Sequence, residues 1–201
     1  MVKQDMESIS DMLEARLRIL PPLIEQCKQM PQIRQAADTI YQALRDGQRL
    51  TACGNGGNFA NADHLVGEFI GRFRWERKAY PAFVLTGGSA FTAIANDYGF
   101  DQVYARQVSG MLQAGDVLVG YSTSGNSANV IEAMRVARRI GVKTIGFSGD
   151  SGKLKEEVDI AIAIPTVHHP AIEEMHYIIT HIICEMAEDQ LCAQDPDAHR
   201  K

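Results

Sequence analysis

The chain has 201 residues, of which 45% are hydrophobic and 22% charged, a balance typical of a soluble globular protein with a sizeable core. Its formal net charge of −5 argues against a general binder of nucleic acid or of anionic membranes. We find no apolar run of membrane-spanning length and no signal peptide. The four cysteines have no CxxC spacing and are expected to be reduced cytosolic thiols.

The first part of the chain is predicted to be helical. Apolar residues at helical spacing predict a helix over about 8–30, which we expect Pro21 and Pro22 to kink or break. A second helix is predicted to begin at Pro31, because proline suits the first turn of a helix, and to end at Gly47. We expect the first helix to pack on the domain or on a second subunit.

Short apolar strands alternate with helices through the rest of the chain. The predicted strands are 49–53, 81–85, 116–120, 142–147 and 160–164. This alternation predicts an α/β fold with an open five-stranded parallel sheet flanked by helices. We expect a single domain over 1–201, with N-terminal helices over 1–46, a long last helix over about 170–191 and a frayed tail over 193–201.

Polar turns follow three of these strands, at Gly54, near Gly87 and at Ser122. In open parallel sheets ligands bind at the carboxyl ends of the strands. The three turns therefore predict a binding site at one edge of the sheet.

The turn at Ser122 has the composition of an anion site. Ser122, Thr123, Ser124 and Ser127 offer hydroxyl donors just before a predicted helix over 130–140. The first N–H groups of a helix have no internal partner, and the helix dipole favours negative charge there. The loop has no lysine and lacks the spacing of a nucleotide P-loop, so we interpret it as a binding site for a sugar phosphate. A simple helix cap would explain one of these polar residues and not the whole run.

Two segments carry residues suited to metal binding or to acid–base chemistry. His64 and Glu68 lie four apart and share one face of a helix, a spacing that suits a divalent metal or a hydrogen-bonded acid–base pair. Glu173 and His181 lie eight apart on roughly the same side of the last helix. If the four converge, they suit zinc or a similar ion; the alternative is that His181 is a hydrogen-bonded core histidine.

Two further segments are ambiguous. Asn96 and Asp97 follow a short predicted helix, where they either cap a turn or bind sugar hydroxyls. The basic and aromatic segment 72–78 is expected to be a solvated loop or a subunit contact. In the second case Arg72 would lend charge to a phosphate bound by a neighbouring chain.

Five motifs are spread along the chain: Cys53-Gly54-Asn55-Gly56-Gly57, His64-x-x-x-Glu68, Ala95-Asn96-Asp97-Tyr98-Gly99-Phe100, Ser122-Thr123-Ser124-Gly125-Asn126-Ser127-Ala128-Asn129-Val130, and Glu173-Glu174-Met175-His176 with His181. Together they resemble the motifs of the phosphoheptose isomerases, single-domain members of the sugar-isomerase (SIS) family. The resemblance covers nearly the whole chain. The serine-rich loop is shared with the wider SIS family, whereas the Asn96-Asp97 segment and His181 point more specifically to the phosphoheptose isomerases.

The resemblance implies a three-layer, flavodoxin-like sandwich in a cytoplasmic homotetramer. Its active sites would be shared between subunits, with one zinc ion per subunit. The implied reaction converts sedoheptulose 7-phosphate to D-glycero-D-manno-heptose 7-phosphate through an enediol, toward the heptose of lipopolysaccharide or other glycans. The expected partners are a small sugar phosphate and other copies of the chain, and neither nucleic acid nor membranes.

By position, the resemblance also implies roles for single residues. Glu68 resembles the catalytic base and His181 the acid. The implied metal ligands are His64, Glu68, Glu173 and His181. The implied substrate-binding residues are Asn55, Gly56, Gly57, Glu68, Asn96, Asp97, Ser122, Thr123, Ser124, Ser127 and Glu173.

The chain departs from the family pattern at two positions. Glu173 stands where the family usually has glutamine, and Asn58 where it commonly has serine. These departures leave open the isomerisation of another phosphosugar, such as a pentose or hexose phosphate. A second alternative is a non-catalytic SIS adaptor, similar to the tetrameric regulator that binds the bacterial replication initiator. The retained acid–base residues argue against the adaptor.

Overall fold

The computed structural model describes residues 8–193 and 195–200. The helices are α1 (Ile9–Cys27), α2 (Pro31–Arg45), α3 (Gly57–Ile70), α4 (Ser89–Tyr98), α5 (Ala105–Met111), α6 (Ala128–Arg139) and α7 (His169–Cys192). The strands are β1 (Leu50–Cys53), β2 (Trp75–Glu76), β3 (Ala82–Val84), β4 (Val117–Ser122), β5 (Lys143–Gly149), β6 (Ile160–Ile164) and β7 (His199–Arg200). Short 3₁₀ turns lie at Phe100–Gln102 and Leu154–Glu156. The predicted strands and helices are present with shifted ends, and β2 and β7 are additional.

The main sheet has five parallel strands in the order β3-β1-β4-β5-β6. Counted along the chain within this sheet, that is the flavodoxin-like order, in which the direction of winding reverses between the first and third strands. Here the reversal falls between β1 and β4, where Cys53 pairs with Gly120. The loops that leave these two neighbouring strands therefore border one crevice. The predicted α/β fold is confirmed.

Helices cover both faces of this sheet, as the three-layer expectation requires. One core cluster joins α1, α2, α3 and α7 to the sheet, and a second joins α5 and α6 to its opposite face. Successive side chains of strand β4 point to opposite faces of the sheet. Val117, Val119 and Tyr121 belong to the first cluster, and Leu118 belongs to the second. Within the described residues, no helix is both long enough and apolar enough to cross a bilayer.

Of the kink or break predicted at Pro21 and Pro22, the break is wrong, because α1 is continuous through both prolines. Ser8 and Asp11 start the helix with a capping box, in which the Asp11 N–H donates to the Ser8 hydroxyl at 3.1 Å. Both prolines are exposed, and so are Leu17 and Arg18, whose carbonyl groups lose their usual partner one turn earlier. The predicted helical region 1–46 includes residues 1–7, which lie outside the described residues.

The chain after α7 returns to the body of the protein, unlike the frayed tail expected over 193–201. Strand β7 pairs antiparallel with β2. The Arg200 guanidinium donates to Asp189 at 3.0 Å and lies over the ring of Trp75. The segment 72–78 is thereby held against α7 instead of forming a solvated loop. Residues 194 and 201 lie outside the described residues.

His176 is a fully buried histidine in the middle of this fold. Its ring packs against Tyr121 and Phe147, and its Nε2 lies 3.3 Å from the Ser148 carbonyl oxygen. A carbonyl only accepts, so Nε2 carries the proton, and Nδ1 has no partner. Burial lowers the pKa of His176 to about 4, so the ring is neutral at pH 7.

This histidine makes the stability of the fold depend on pH. The unfolded chain binds the proton below about pH 6.5, whereas the folded chain resists it down to its lower pKa, so stability is full above that range and falls as the pH drops. Between pH 7 and 5, urea unfolding should show wild-type protein losing about 2 kcal/mol more than His176→Leu. Equal losses in the two proteins would contradict the buried neutral state.

Candidate active site

A pair of side-chain amides connects the two sides of the crevice between β1 and β4. Asn55 Nδ2 donates to Asn129 Oδ1 at 2.9 Å, and Asn129 Nδ2 donates to Asn55 Oδ1 at 2.8 Å. Asn129 is buried near the start of α6, and its Oδ1 also accepts from the N–H of Val130. This pair ties the turn after β1 to the helix that follows β4. Asn129 is absent from the predicted site residues, although it lies within the serine-rich motif.

The serine-rich loop runs from the end of β4 to the start of α6. The Ser122 hydroxyl donates to Ser127 Oγ at 2.9 Å, which leaves the proton of the Ser127 hydroxyl uncommitted. Ser127 stands at the N-cap of α6, yet its side chain accepts no backbone hydrogen bond. Ser124 is exposed. Of the four predicted hydroxyl donors, Ser124 and Ser127 are therefore accessible at the helix start, whereas Ser122 and Thr123 are buried and donate within the protein.

Thr123 connects this loop to the first and last site helices. The Asn58 amide donates to Thr123 Oγ1 at 2.8 Å, and Thr123 donates its proton to Glu173 Oε1 at 3.2 Å. A Cβ atom on Gly57 would lie 2.9 Å from Glu173 Oε2, so a larger residue there would displace the carboxylate. The two positions at which the chain departs from the family pattern, Asn58 and Glu173, are thus joined through one hydroxyl.

Helices α3 and α7 bring the two predicted histidines together. Nε2 of His64 lies 2.7 Å from Nε2 of His181 and 3.2 Å from Glu68 Oε1. One ligand atom from each of these three residues lies within 4.8 Å of the other two. All three side chains are partly exposed. Two imidazole nitrogens and a carboxylate oxygen with an open side form a donor set that fits a divalent metal ion.

Glu173 does not join this cluster, in contrast to the predicted set of four ligands. Its eight-residue spacing from His181 keeps it on the same side of α7 but about 12 Å away along the helix axis. Its carboxylate instead lies beside Gly57 and Thr123, near the strand ends.

Electrostatics favour a neutral His64. Burial lowers the pKa of His64 below its usual value, the Glu68 carboxylate partly offsets this, and the nearby His181 lowers it further. A neutral imidazole has a lone pair to offer to a metal ion or to a proton.

Asn96 and Asp97 lie in the last turn of α4 instead of after it, because that helix extends to Tyr98. Both are exposed, and the Asn96 amide donates to Asp97 Oδ1 at 2.8 Å. No hydrogen bond among the described residues joins them to the other predicted site residues. Arg72 is exposed and pairs with Glu76 at 3.5 Å.

Two aromatic rings beside the histidines are absent from the predicted site. Tyr177 stacks on His64, and Phe73 stacks on His181. Tyr177 precedes His181 by four residues, a spacing that places both on one face of a helix and was visible in the sequence. No pattern in the sequence distinguishes Phe73.

A buried ion pair fixes α3 against α7. The side chains of Arg77 and Glu188 are 0% and 1% exposed and approach to 3.0 Å. Arg77 also donates to the carbonyl oxygens of Glu68 and Phe69 near the end of α3. Glu188 accepts from the N–H groups of Phe73 and Arg74. The pair therefore positions the cluster of His64, Glu68 and His181.

Comparison with known proteins agrees with this geometry. The SIS domain family matches residues 17–149. The phosphoheptose isomerase of Nitratiruptor sp. is 49% identical over 159 residues, which cover 78% of this chain and 85% of that protein. That of Pelobacter propionicus is 43% identical over 194 residues, covering 96% and 98%. The structure of the phosphoheptose isomerase from Neisseria gonorrhoeae matches with a TM-score of 0.83 at 35% identity, covering 90% of this chain and 100% of that chain.

The fold, the crevice and the family match define an SIS-domain protein. Within that family the chain belongs to the phosphoheptose isomerases.

Removing the carboxylate of Glu188 tests the buried ion pair. Glu188→Gln leaves the Arg77 charge buried without its counterion, so the free energy of unfolding should fall by roughly 3–5 kcal/mol in urea titrations. Glu185→Gln is the matched control on α7, because Glu185 pairs with the partly exposed Arg74 and should cost about 1 kcal/mol or less. Similar small losses in both variants would show that the pair does not hold the helices together.

Proposed function

We propose that this protein isomerises sedoheptulose 7-phosphate to D-glycero-D-manno-heptose 7-phosphate in the cytoplasm, toward the heptose of lipopolysaccharide or other glycans. The observation that carries the proposal is the meeting of His64, Glu68 and His181 at the packed faces of α3 and α7, which also border the hydroxyl-lined loop. The phosphoheptose isomerase relatives match nearly the full chain and support the same reaction.

The reaction needs few groups, and the site holds them. A base removes a proton from C1 of the ketose and returns it to C2, while an acid moves a proton between the oxygens of the enediol. We assign the carbon-bound proton to the Glu68 carboxylate and the oxygen-bound proton to the His181 imidazole. Their proximity, with His64 between them, allows both to act on adjacent carbons of one substrate.

We propose that His64, Glu68 and His181 hold one zinc ion per subunit. Bound zinc would polarise the substrate carbonyl. We assign Glu173 to substrate binding, since its carboxylate lies with Gly57 and Thr123 and not in the cluster.

The substrate is proposed to lie between the two loops of the crevice. Its phosphate would bind at the loop of Ser122, Thr123, Ser124 and Ser127, through the Ser124 and Ser127 hydroxyls and backbone N–H groups of the loop. The fixed phosphate would position the distant reacting carbons. Its hydroxyl groups would bind the remaining predicted residues, which are Asn55, Gly56, Gly57, Asn96, Asp97 and Glu173.

Turnover of sedoheptulose 7-phosphate tests the proposed reaction. Zinc-loaded protein should form the heptose 7-phosphate, and Glu68→Gln and His181→Ala should lower kcat by roughly 10²–10⁴-fold, the range for loss of a general acid or base. The controls are Glu185→Gln and His199→Ala, which change the same residue types away from the cluster. Near-normal kcat in Glu68→Gln or His181→Ala would disprove the assigned roles. Activity unaffected by a chelator would exclude a role for the metal in the reaction.

Another phosphosugar remains the second candidate, because Asn58 and Glu173 are linked through Thr123 at the proposed substrate wall. Comparing kcat/KM for C5, C6 and C7 ketose phosphates in the same assay separates the two. A higher value for a pentose or hexose phosphate would favour the second candidate. The gathered acid–base set argues against a non-catalytic adaptor.

We also propose that the protein forms a homotetramer. Helix α1 leaves large apolar side chains in solvent along one stripe: Ile9 is 79%, Leu13 61% and Leu17 73% exposed. Contiguous apolar surface of this kind marks an interaction site. A second copy of the chain would cover it.

Charge introduced into the α1 stripe tests this assembly. Leu13→Glu with Leu17→Glu should reduce the mass measured by light scattering from four chains to fewer, because a carboxylate would be buried in the contact. Gln26→Glu adds a carboxylate at an exposed polar position of the same helix and should leave the mass unchanged. A double variant that stays tetrameric would exclude α1 from the interface.

A further inference from the structure

The imidazoles of His64 and His181 are held in an unusual way. In the described part of the chain, the hydrogen bonds of both rings involve Nε2, and Nδ1 of neither ring has a protein partner. A histidine that binds a metal normally donates its second N–H to a carboxylate or carbonyl, which fixes the orientation of the ring. Something else must orient these two rings.

Aromatic stacking supplies that orientation. The rings of His64 and Tyr177 lie 4.4 Å apart between centroids with an interplanar angle of 22°. Those of His181 and Phe73 lie 5.2 Å apart at 16°. Tyr177 also meets the edge of His181, at 5.1 Å and 80°. Both stacked distances and the edge contact fall in the range that aromatic pairs prefer.

We infer that Phe73 and Tyr177 form an aromatic clamp that fixes the two imidazoles and so sets the metal affinity of the site. The inference rests on the proposed metal site and deepens it. With one face of each ring covered, neither imidazole can rotate away without losing its stack, so the two Nε2 atoms stay directed at a common point. Tyr177 and Phe73 act as positioning residues, through the histidines.

The clamp rings are themselves fixed. Phe73 follows α3, and its N–H donates to the buried Glu188 carboxylate at 3.1 Å. Tyr177 lies one turn before His181 on α7. Tyr177 itself is 40% exposed, so substitutions at this position leave the core intact.

Zinc binding to the full-length protein tests the clamp without using activity. The dissociation constant for Zn²⁺ alone is measured by competition with a chromophoric chelator. Tyr177→Leu and Phe73→Leu should each weaken binding by about ten-fold, the smaller of the losses known for removing groups that orient a ligating histidine. Tyr177→Phe keeps the ring and should bind within about two-fold of wild type. The visible spectrum of the Co²⁺-loaded protein should shift in the leucine variants and not in Tyr177→Phe.

Ile182→Ala is the matched control, because Ile182 has similar exposure on α7 and lines a separate apolar groove with Ile24 and Met30. It should leave affinity and spectrum unchanged. Wild-type affinity in Tyr177→Leu, an equal loss in Tyr177→Phe, or an equal loss in Ile182→Ala would each overturn the clamp, and so would wild-type protein that binds no Zn²⁺. Zinc binding with the expected variant losses, but without isomerase activity, would support the clamp and defeat only the proposed reaction.

Discussion

The contact between Arg77 and Glu188 is the constraint on which the site depends. The last carbonyl groups of a helix lack internal partners, and Arg77 donates to those of Glu68 and Phe69 at the end of α3. The same guanidinium is neutralised by Glu188 from α7, so one side chain ends the first helix and joins it to the second. Any slip of α3 along α7 would break these bonds. The position of His64 along the helix axes relative to His181 is therefore fixed by the contact between Arg77 and Glu188, which takes no part in the chemistry.

The sheet supplies the other half of the site through its strand order. Because winding reverses between β1 and β4, the turn at Gly54 and the loop at Ser122 leave neighbouring strands and border one crevice. The amide pair of Asn55 and Asn129 spans the two. The serine-rich loop is thus held by side-chain hydrogen bonds at one end of α3, and the histidine cluster is held by helix packing further along α3.

The sequence predicted those features of the fold and the site that depend on local patterns. Apolar runs identified the five parallel strands, and the four-residue spacing of His64 and Glu68 placed them on one face. Their meeting with His181 depends on helix packing, which spacing alone leaves open. The prediction at Pro21 and Pro22 failed because exposed carbonyl groups can bond to water. The prediction of a frayed tail failed because Arg200 pairs with Asp189, 11 residues earlier, and lies over Trp75, which is far away in the chain. The position of Phe73 beside His181 depends on the path of the turn after α3, and no motif in the sequence predicts that path.

Glu173 and Asn58 are best understood together. The Glu173 carboxylate lies one hydrogen bond from Thr123, at the border of the proposed phosphate site, and like charges at a few ångströms interact strongly in a partly buried site. Here Thr123 donates its single proton to Glu173, and Asn58 donates to the oxygen of the same threonine. This chain of bonds directs the carboxylate toward Gly57, where the N–H groups that begin α3 favour negative charge. A carboxylate held there could accept hydrogen bonds through both oxygens, whereas a glutamine could accept only through its carbonyl oxygen. The departure at one position is therefore accommodated by the departure at the other, through the Thr123 hydroxyl that both side chains contact.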